Sequence, residues 1–127
     1  MKENTMEFYY GTKLIQAEPM LDYDGVEGYK VIYSGGYESW SPTEAFEAAY
    51  RKNGELNFGH ALEALKSGKK IARSGWNGKS MWLNLQTPDE HSKMTLPYIY
   101  MFTACKNQVP WFASQTDVLA NDWCIVE

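Results

Sequence analysis

Cysteine and histidine are scarce in this chain: its 127 residues hold two of each. Cys105 and Cys124 form no CxxC pair. His60 and His91 have no second His or Cys at metal-ligand spacing, so no recognisable zinc pattern exists. Two thiols in a chain long enough to build a core without a staple predict a reduced, cytosolic protein, and apolar neighbours predict inert, buried thiols. No apolar run approaches the roughly 20 residues of a membrane span. The opening MKENTMEFYY lacks the apolar stretch of a signal peptide. Phosphate-binding GxxxxGK[ST] and GxGxxG fingerprints are missing, so no cofactor is implied. Asp117 and Asp122 are the one imaginable carboxylate pair, and capping of a short helix and its following turn accounts for them better. The reading is of a protein that is not an enzyme.

Aromatic residues are plentiful instead: five Trp, nine Tyr and five Phe make 15% of the chain. That is more flat ring surface than a small core uses, so part of it is expected to face a ligand or partner. The net charge of −4 argues against general DNA binding. Charge is also uneven. Residues 1–50 carry nine acids and three bases, a net of −6, and residues 51–127 seven acids and nine bases, a net of +2. Lys66, Lys69, Lys70, Arg73 and Lys79 occur with no acid between Glu63 and Asp89. Such a cluster suits one small anion, or equally a solvated helix end.

The chain divides near Arg51-Lys52-Asn53-Gly54, predicting a small β-hairpin plus helix module over residues 1–52 and a ligand-binding domain over 53–127. In the first, strands are expected at Thr12 to Ala17, Tyr29 to Tyr33 and Tyr37 to Trp40, with Ser34-Gly35-Gly36 as a tight turn. Ser41-Pro42-Thr43-Glu44 then predicts a helix with Ser41 as N-cap, Pro42 at the first helical position and Glu44 as capping-box partner. In the second, Phe58, Ala61, Leu62 and Leu65 follow helical spacing behind an Asn57 cap, and Gly68 stops the helix. Strands are expected at Lys70–Arg73, Met81–Leu85, Pro97–Ala104 and Trp123–Val126. A turn is expected at Lys106–Gln108, a further element starting at Val109, and a helical turn opened by Ser114-Gln115-Thr116-Asp117. The fold class is α+β, with small antiparallel sheets and two main amphipathic helices.

Two loops carry the chemistry. In Gly75-Trp76-Asn77-Gly78-Lys79, glycines permit close backbone approach, Trp76 can stack on a base, Asn77 can read an amide or base edge, and Arg73 and Lys79 bring positive charge suited to phosphates. A hairpin loop with one packed Trp is the bland alternative. Val109-Pro110-Trp111-Phe112-Ala113-Ser114-Gln115-Thr116-Asp117 adds a second aromatic beside hydroxyl, amide and carboxylate groups, or is simply a helix cap. Together the loops point to a pocket for a nucleotide-like molecule, with candidates Arg73, Trp76, Asn77, Gly78, Lys79, Pro110, Trp111, Ser114, Gln115, Thr116 and Asp117.

Asn57-Phe58-Gly59, Gly68-Lys69, Arg73, Gly75 to Lys79, Pro97-Tyr98-Ile99, Val109-Pro110-Trp111, Ser114-Gln115, Asp117, Leu119-Ala120 and Asp122-Trp123 resemble the phage Thoeris anti-defence two family. The likeness spans roughly residues 56–127. Ser80 departs from the pattern, which has Gly there. The resemblance implies a non-enzymatic sponge acting in the cytoplasm of the infected bacterium. It implies a homo-oligomer, tetrameric in the family, with ligand pockets between protomers. The ligand implied is a cyclic ADP-ribose isomer, or a cyclic oligonucleotide of CBASS immunity, held without cleavage. A phage structural or assembly module, its aromatics forming only a protein interface, is the rival from another class; a nucleotide-cleaving enzyme would need an acid–base pair the chain does not clearly offer. Residues 7–52 are similar to a short module of small phage proteins.

Overall fold

A computed structural model of the chain describes residues 6–76 and 80–127. It forms two compact units, Met1–Tyr50 and Arg51–Glu127. Both combine antiparallel sheet with short helices, so the fold is α+β.

In the first unit, β1 (Gln16–Pro19), β2 (Gly28–Ile32) and β3 (Glu38–Pro42) make a three-stranded meander in that order. The turn between β2 and β3 closes with the Tyr33 N–H on the Tyr37 carbonyl, and Gly36 takes a φ of +86° there. β1 sits later than the alternation predicts because Pro19 continues the strand, opposite Tyr29. A proline is tolerated on an edge strand, where the missing N–H is not needed. Helix α1 (Thr43–Ala49) begins one residue later than expected. Ser41 pairs with Tyr29 inside β3, so Pro42 takes the N-cap position and no side chain caps the helix. The α1 face at Phe46 stacks on Tyr29 with centroids 4.1 Å apart, and the Tyr29 hydroxyl donates to Glu47 at 2.7 Å. On the other side of β2, the Trp40 indole lies over Gly28 and donates to the Met20 carbonyl at 2.8 Å.

The second unit starts with a turn at Lys52–Glu55 in which Gly54 has φ +96°. Asn53 does more than turn the chain: its side chain accepts from the Ile125 N–H at 2.7 Å and donates to the Ile125 carbonyl at 3.2 Å, completing an edge strand. Helix α2 (Phe58–Lys66) has Asn57 as its cap, accepting from the His60 N–H at 2.8 Å. It ends as expected at Gly68, with φ +94°. The Gly68 N–H reaches the Leu65 carbonyl and the Lys69 N–H reaches that of Ala64, the paired bonds of a Schellman stop.

A five-stranded antiparallel sheet follows, ordered β7-β6-β5-β4-β8: β4 (Lys70–Arg73), β5 (Trp82–Gln86), β6 (Tyr98–Phe102), β7 (Gln108–Pro110) and β8 (Trp123–Val126). Register aligns Ile71 with Leu83 and Ile125, and Leu83 with Met101. That stripe faces α2, whose Ala61, Ala64 and Leu65 close the core with Leu56, Ile71, Leu83 and Trp123. Residues one step out of phase carry Trp82, stacked on Phe102 at 4.9 Å, with the Lys70 ammonium 4.4 Å from the Trp82 ring centre. Lys70 therefore serves the sheet face rather than the end of α2.

β6 ends at Phe102, two residues before the expected Ala104. Thr103 closes a turn on Asn107, its N–H on the Asn107 carbonyl and its hydroxyl accepting from the Asn107 N–H, with Lys106 at φ +65°. This overturns the expectation of a buried Cys105: the thiol stands exposed on that turn, and only Cys124 is partly buried. Thr103 and Asn107 hydrogen bonds hold the Cys105 thiol below its ordinary pKa, whereas burial pushes that of Cys124 up. Among the described residues, no helix is long and apolar enough to cross a membrane.

Candidate functional site

Trp123 organises the region that the two loops occupy. It opens β8 with no exposed surface, and its indole N–H donates to the Asp117 carbonyl at 2.9 Å. Phe58 tilts against it at 5.3 Å, Trp76 meets it edge-on at 5.5 Å and Trp111 edge-on at 6.2 Å. Both candidate indoles are thus half-buried, each with one edge or face spent on Trp123. They neither vanish into the core nor stand free in water. Rings meeting edge to face are held in orientation by their quadrupoles as well as by contact area.

Arg73, last residue of β4, joins the loops. Its Nε donates to Asp122 Oδ1 at 2.8 Å, Nη1 to Asp117 Oδ1 at 2.8 Å and Nη2 to Asp122 Oδ2 at 3.4 Å. The three side chains are mostly withdrawn from solvent, Arg73 17% and Asp117 18% exposed, so water screens these bonds less than at a surface pair. Each charge shifts the others. The Asp122 and Asp117 hydrogen bonds raise the Arg73 pKa, and the guanidinium holds the Asp122 carboxyl below its ordinary range. Burial pushes Asp117 up, but the bonds from Arg73, Ser114 and Trp76 outweigh it and leave its pKa lowered.

The short helix α3 (Gln115–Val118) carries Asp117 and precedes Asp122; it is capped by Ser114, whose hydroxyl accepts from the Asp117 N–H at 3.0 Å. Ser114, Gln115 and Thr116 are exposed there, and Pro110 is exposed on β7 opposite Tyr100. The capping bond occupies one of the N–H groups at the helix start, which a ligand there would otherwise meet free. Gly75 likewise changes role: its N–H donates to Asp122 Oδ2 at 2.7 Å, and a Cβ there would stand 2.8 Å from the same oxygen. The glycine is needed for a carboxylate of the chain itself. Asp122, read from sequence as a capping residue, instead clamps Arg73 and Gly75, and its carbonyl accepts from the Ser74 N–H at 2.9 Å.

The structure therefore brings Arg73, Trp76, Trp111, Ser114, Gln115, Thr116 and Asp117 to one region of the second unit. Asn77, Gly78 and Lys79 lie outside the described residues. Just after them, Ser80 has φ +60°, the left-handed region in which glycine is unstrained and a side chain is not. Two surface depressions lie elsewhere: one of about 290 Å³ is lined by Gln86, Pro88, Ser92, Lys93, Met94 and Tyr98, and one of about 790 Å³ by residues of the first unit. Sequence reasoning missed Trp123 as the platform and Asp122 as the clamp. Their adjacency just before a closing strand was the available signal.

All of this geometry falls inside residues 56–126, which match the family model of the Thoeris anti-defense 2-like domain. The chain belongs to that family. Thoeris anti-defense 2 of Bacillus phage SP01 is 40% identical over 85 residues, covering 57% of this chain and 96% of that relative. Membership in the Thoeris anti-defense 2-like family carries a phage anti-defence role, and the resemblance drawn from the motifs stands. The residues quoted for the resemblance, from Asn57 to Trp123, sit in the matched span; the first unit lies outside it.

Proposed function

We propose that this protein acts in the cytoplasm of the infected host as a sponge, binding a cyclic ADP-ribose-type immune signal and withholding it without cleavage. The observation that carries the reading is the pairing of two half-buried indoles, Trp76 and Trp111, around one buried indole, with exposed polar groups beside them. Half-buried aromatic faces can take up a purine ring by stacking, typically worth about 1–3 kcal/mol per base. Ser114, Gln115 and Thr116 supply hydroxyl and amide groups for base and ribose edges. Silencing a signal by capture needs affinity of about 1 nM, near −12 kcal/mol. A ligand of this size reaches that in an enclosing, preorganised site. A second copy of the chain supplies the enclosure in this reading, making the active form a homo-oligomer, a tetramer by the family resemblance. A cyclic oligonucleotide of CBASS immunity fits the same chemistry of stacked base and charged phosphate.

Calorimetry with a panel of cyclic ADP-ribose isomers, followed by heat denaturation and identification of what is released, tests the reading. Tight binding and recovery of the intact ring support it. A linear product would make the protein an enzyme, and no uptake of any isomer would remove the reading.

The exposed aromatics of the first unit favour one second reading. Phe8, Tyr10 and Tyr23 are fully exposed, an arrangement suited to a protein interface of a structural or assembly module. Native mass spectrometry separates the two, since an oligomer that takes up no nucleotide from infected-cell extract supports the assembly module.

A further inference from the structure

Arg73 is the described cation closest to the candidate loops, and the sequence casts it as the group that neutralises a ligand's phosphate. The geometry gives it other work. Three of its five N–H groups, one on each nitrogen, are spent on two carboxylates from different parts of the chain, Asp117 in α3 and Asp122 before β8. One guanidinium between two carboxylates leaves the trio at a net charge of −1. A phosphate approaching it would meet repulsion, not capture.

Oxygens that already face the arginine take a second donor each. Asp122 Oδ2 accepts from the Gly75 N–H, and Asp117 Oδ1 from the Trp76 indole N–H at 3.4 Å. The Trp76 backbone N–H returns to the Arg73 carbonyl at 3.2 Å. Trp76 is therefore tied at its backbone by the arginine and at its ring by an acid that the arginine holds. Arg73 itself is rooted in β4, paired on both sides by β5 and β8.

We propose that Arg73 is a positioning residue, a two-carboxylate latch that locks the Trp76 loop to the Ser114–Asp122 segment and so fixes the indole for stacking, without itself touching the ligand. The inference rests on the sequestration reading above for its binding arm, and on the free protein alone for its second arm. Only arginine does this job. Its planar fork reaches two carboxylates in fixed directions, whereas a lysine ammonium is a point charge that fits one.

The test compares R73K, R73A, D122N and the double variant R73A/D122N in the full chain. In the first arm, affinity for the cyclic ADP-ribose isomer that binds the wild type is measured by calorimetry. The latch predicts a loss of tenfold or more in every variant, with the double variant no worse than R73A alone. A direct phosphate contact predicts the reverse pattern: R73K keeps most of the affinity, and D122N, which removes a negative charge from an anion site, keeps or gains it. That pattern overturns the proposal.

The second arm needs no ligand. Hydrogen exchange of the Gly75 amide and the Trp76 indole N–H is followed by NMR in the free protein. At least tenfold faster exchange in R73K and D122N, with amides of β5 and β6 unchanged, supports the latch. Unchanged exchange at both groups overturns it, even if no isomer binds and the sequestration reading falls. Should R73A fail to fold, R73K, which keeps the charge, and D122N, which keeps the shape, still decide the question.

Discussion

Replacing Trp123 by phenylalanine should damage the second unit more than any other single ring change. The side chain is fully buried, with Phe58, Trp76 and Trp111 packed around it. Phenylalanine keeps one six-membered ring and forfeits about two methylene equivalents of buried surface, at roughly 0.8 kcal/mol each. It also loses the indole bond to the Asp117 carbonyl, a net contribution of about 1 kcal/mol. That carbonyl keeps its bond from the Ala120 N–H at 3.3 Å, so no full penalty for an orphaned acceptor is added. The sum is about 2.5 kcal/mol, or a fall of about 10–20 °C in melting temperature for a unit of this size. Urea denaturation followed by tryptophan emission is the assay, because Trp76, Trp82, Trp111 and Trp123 report the second unit and Trp40 alone the first. Emission of the folded variant should also change, since Trp76 and Trp111 lose the edge they rest against. A cost below about 1 kcal/mol with unaltered emission would refute the view that Trp123 is the platform of both loops.

Three further outcomes are expected. Gly28→Ala should cost about 1–3 kcal/mol in the first unit, because any Cβ there meets the Ser41 carbonyl and the Trp40 indole; calorimetry should show the second unit's transition unmoved, and an unshifted first transition would contradict the packing. On acidification, the second unit should hold its stability down to the ordinary carboxylate value of 3.8 and lose it as pH falls through the depressed native values of Asp122 and Asp117, since a lowered pKa means stability present only while the group is ionised. R73A should move that acid limb upward, and an acid limb identical to wild type would contradict the clamp. An alkylating reagent should modify Cys105 well before Cys124 in the folded protein, because the first thiol is exposed and its thiolate favoured by Thr103 and Asn107; equal rates by mass spectrometry would count against the turn described.

Much of this molecule was legible as local signals. The Asn57 cap, the Gly68 stop, the Ser114 cap and the strand at Lys70–Arg73 lie where the residue pattern places them, because each depends on contacts within four or five positions. Local reading failed where a partner strand or a distant side chain intervened. Ser41 reads as a cap, yet pairing with Tyr29 drew it into a strand. Cys105 is a different case: it reads as buried from its apolar neighbours, but the short-range turn that Thr103 and Asn107 close around it lifts it out, a local signal that outweighs them.

The linear order of residues was enough to settle the family, the α+β class, the two aromatic loops and the division of charge between the halves. Those properties are written in composition, spacing and short-range preference. What the arginine does was decided only in three dimensions. Asp117 and Asp122 stand 44 and 49 positions away from it, and antiparallel pairing of β4 with β8 is what delivers them to its fork. A charge's role depends on which opposite charges the fold brings within about 3 Å, and no pattern along the chain encodes that distance.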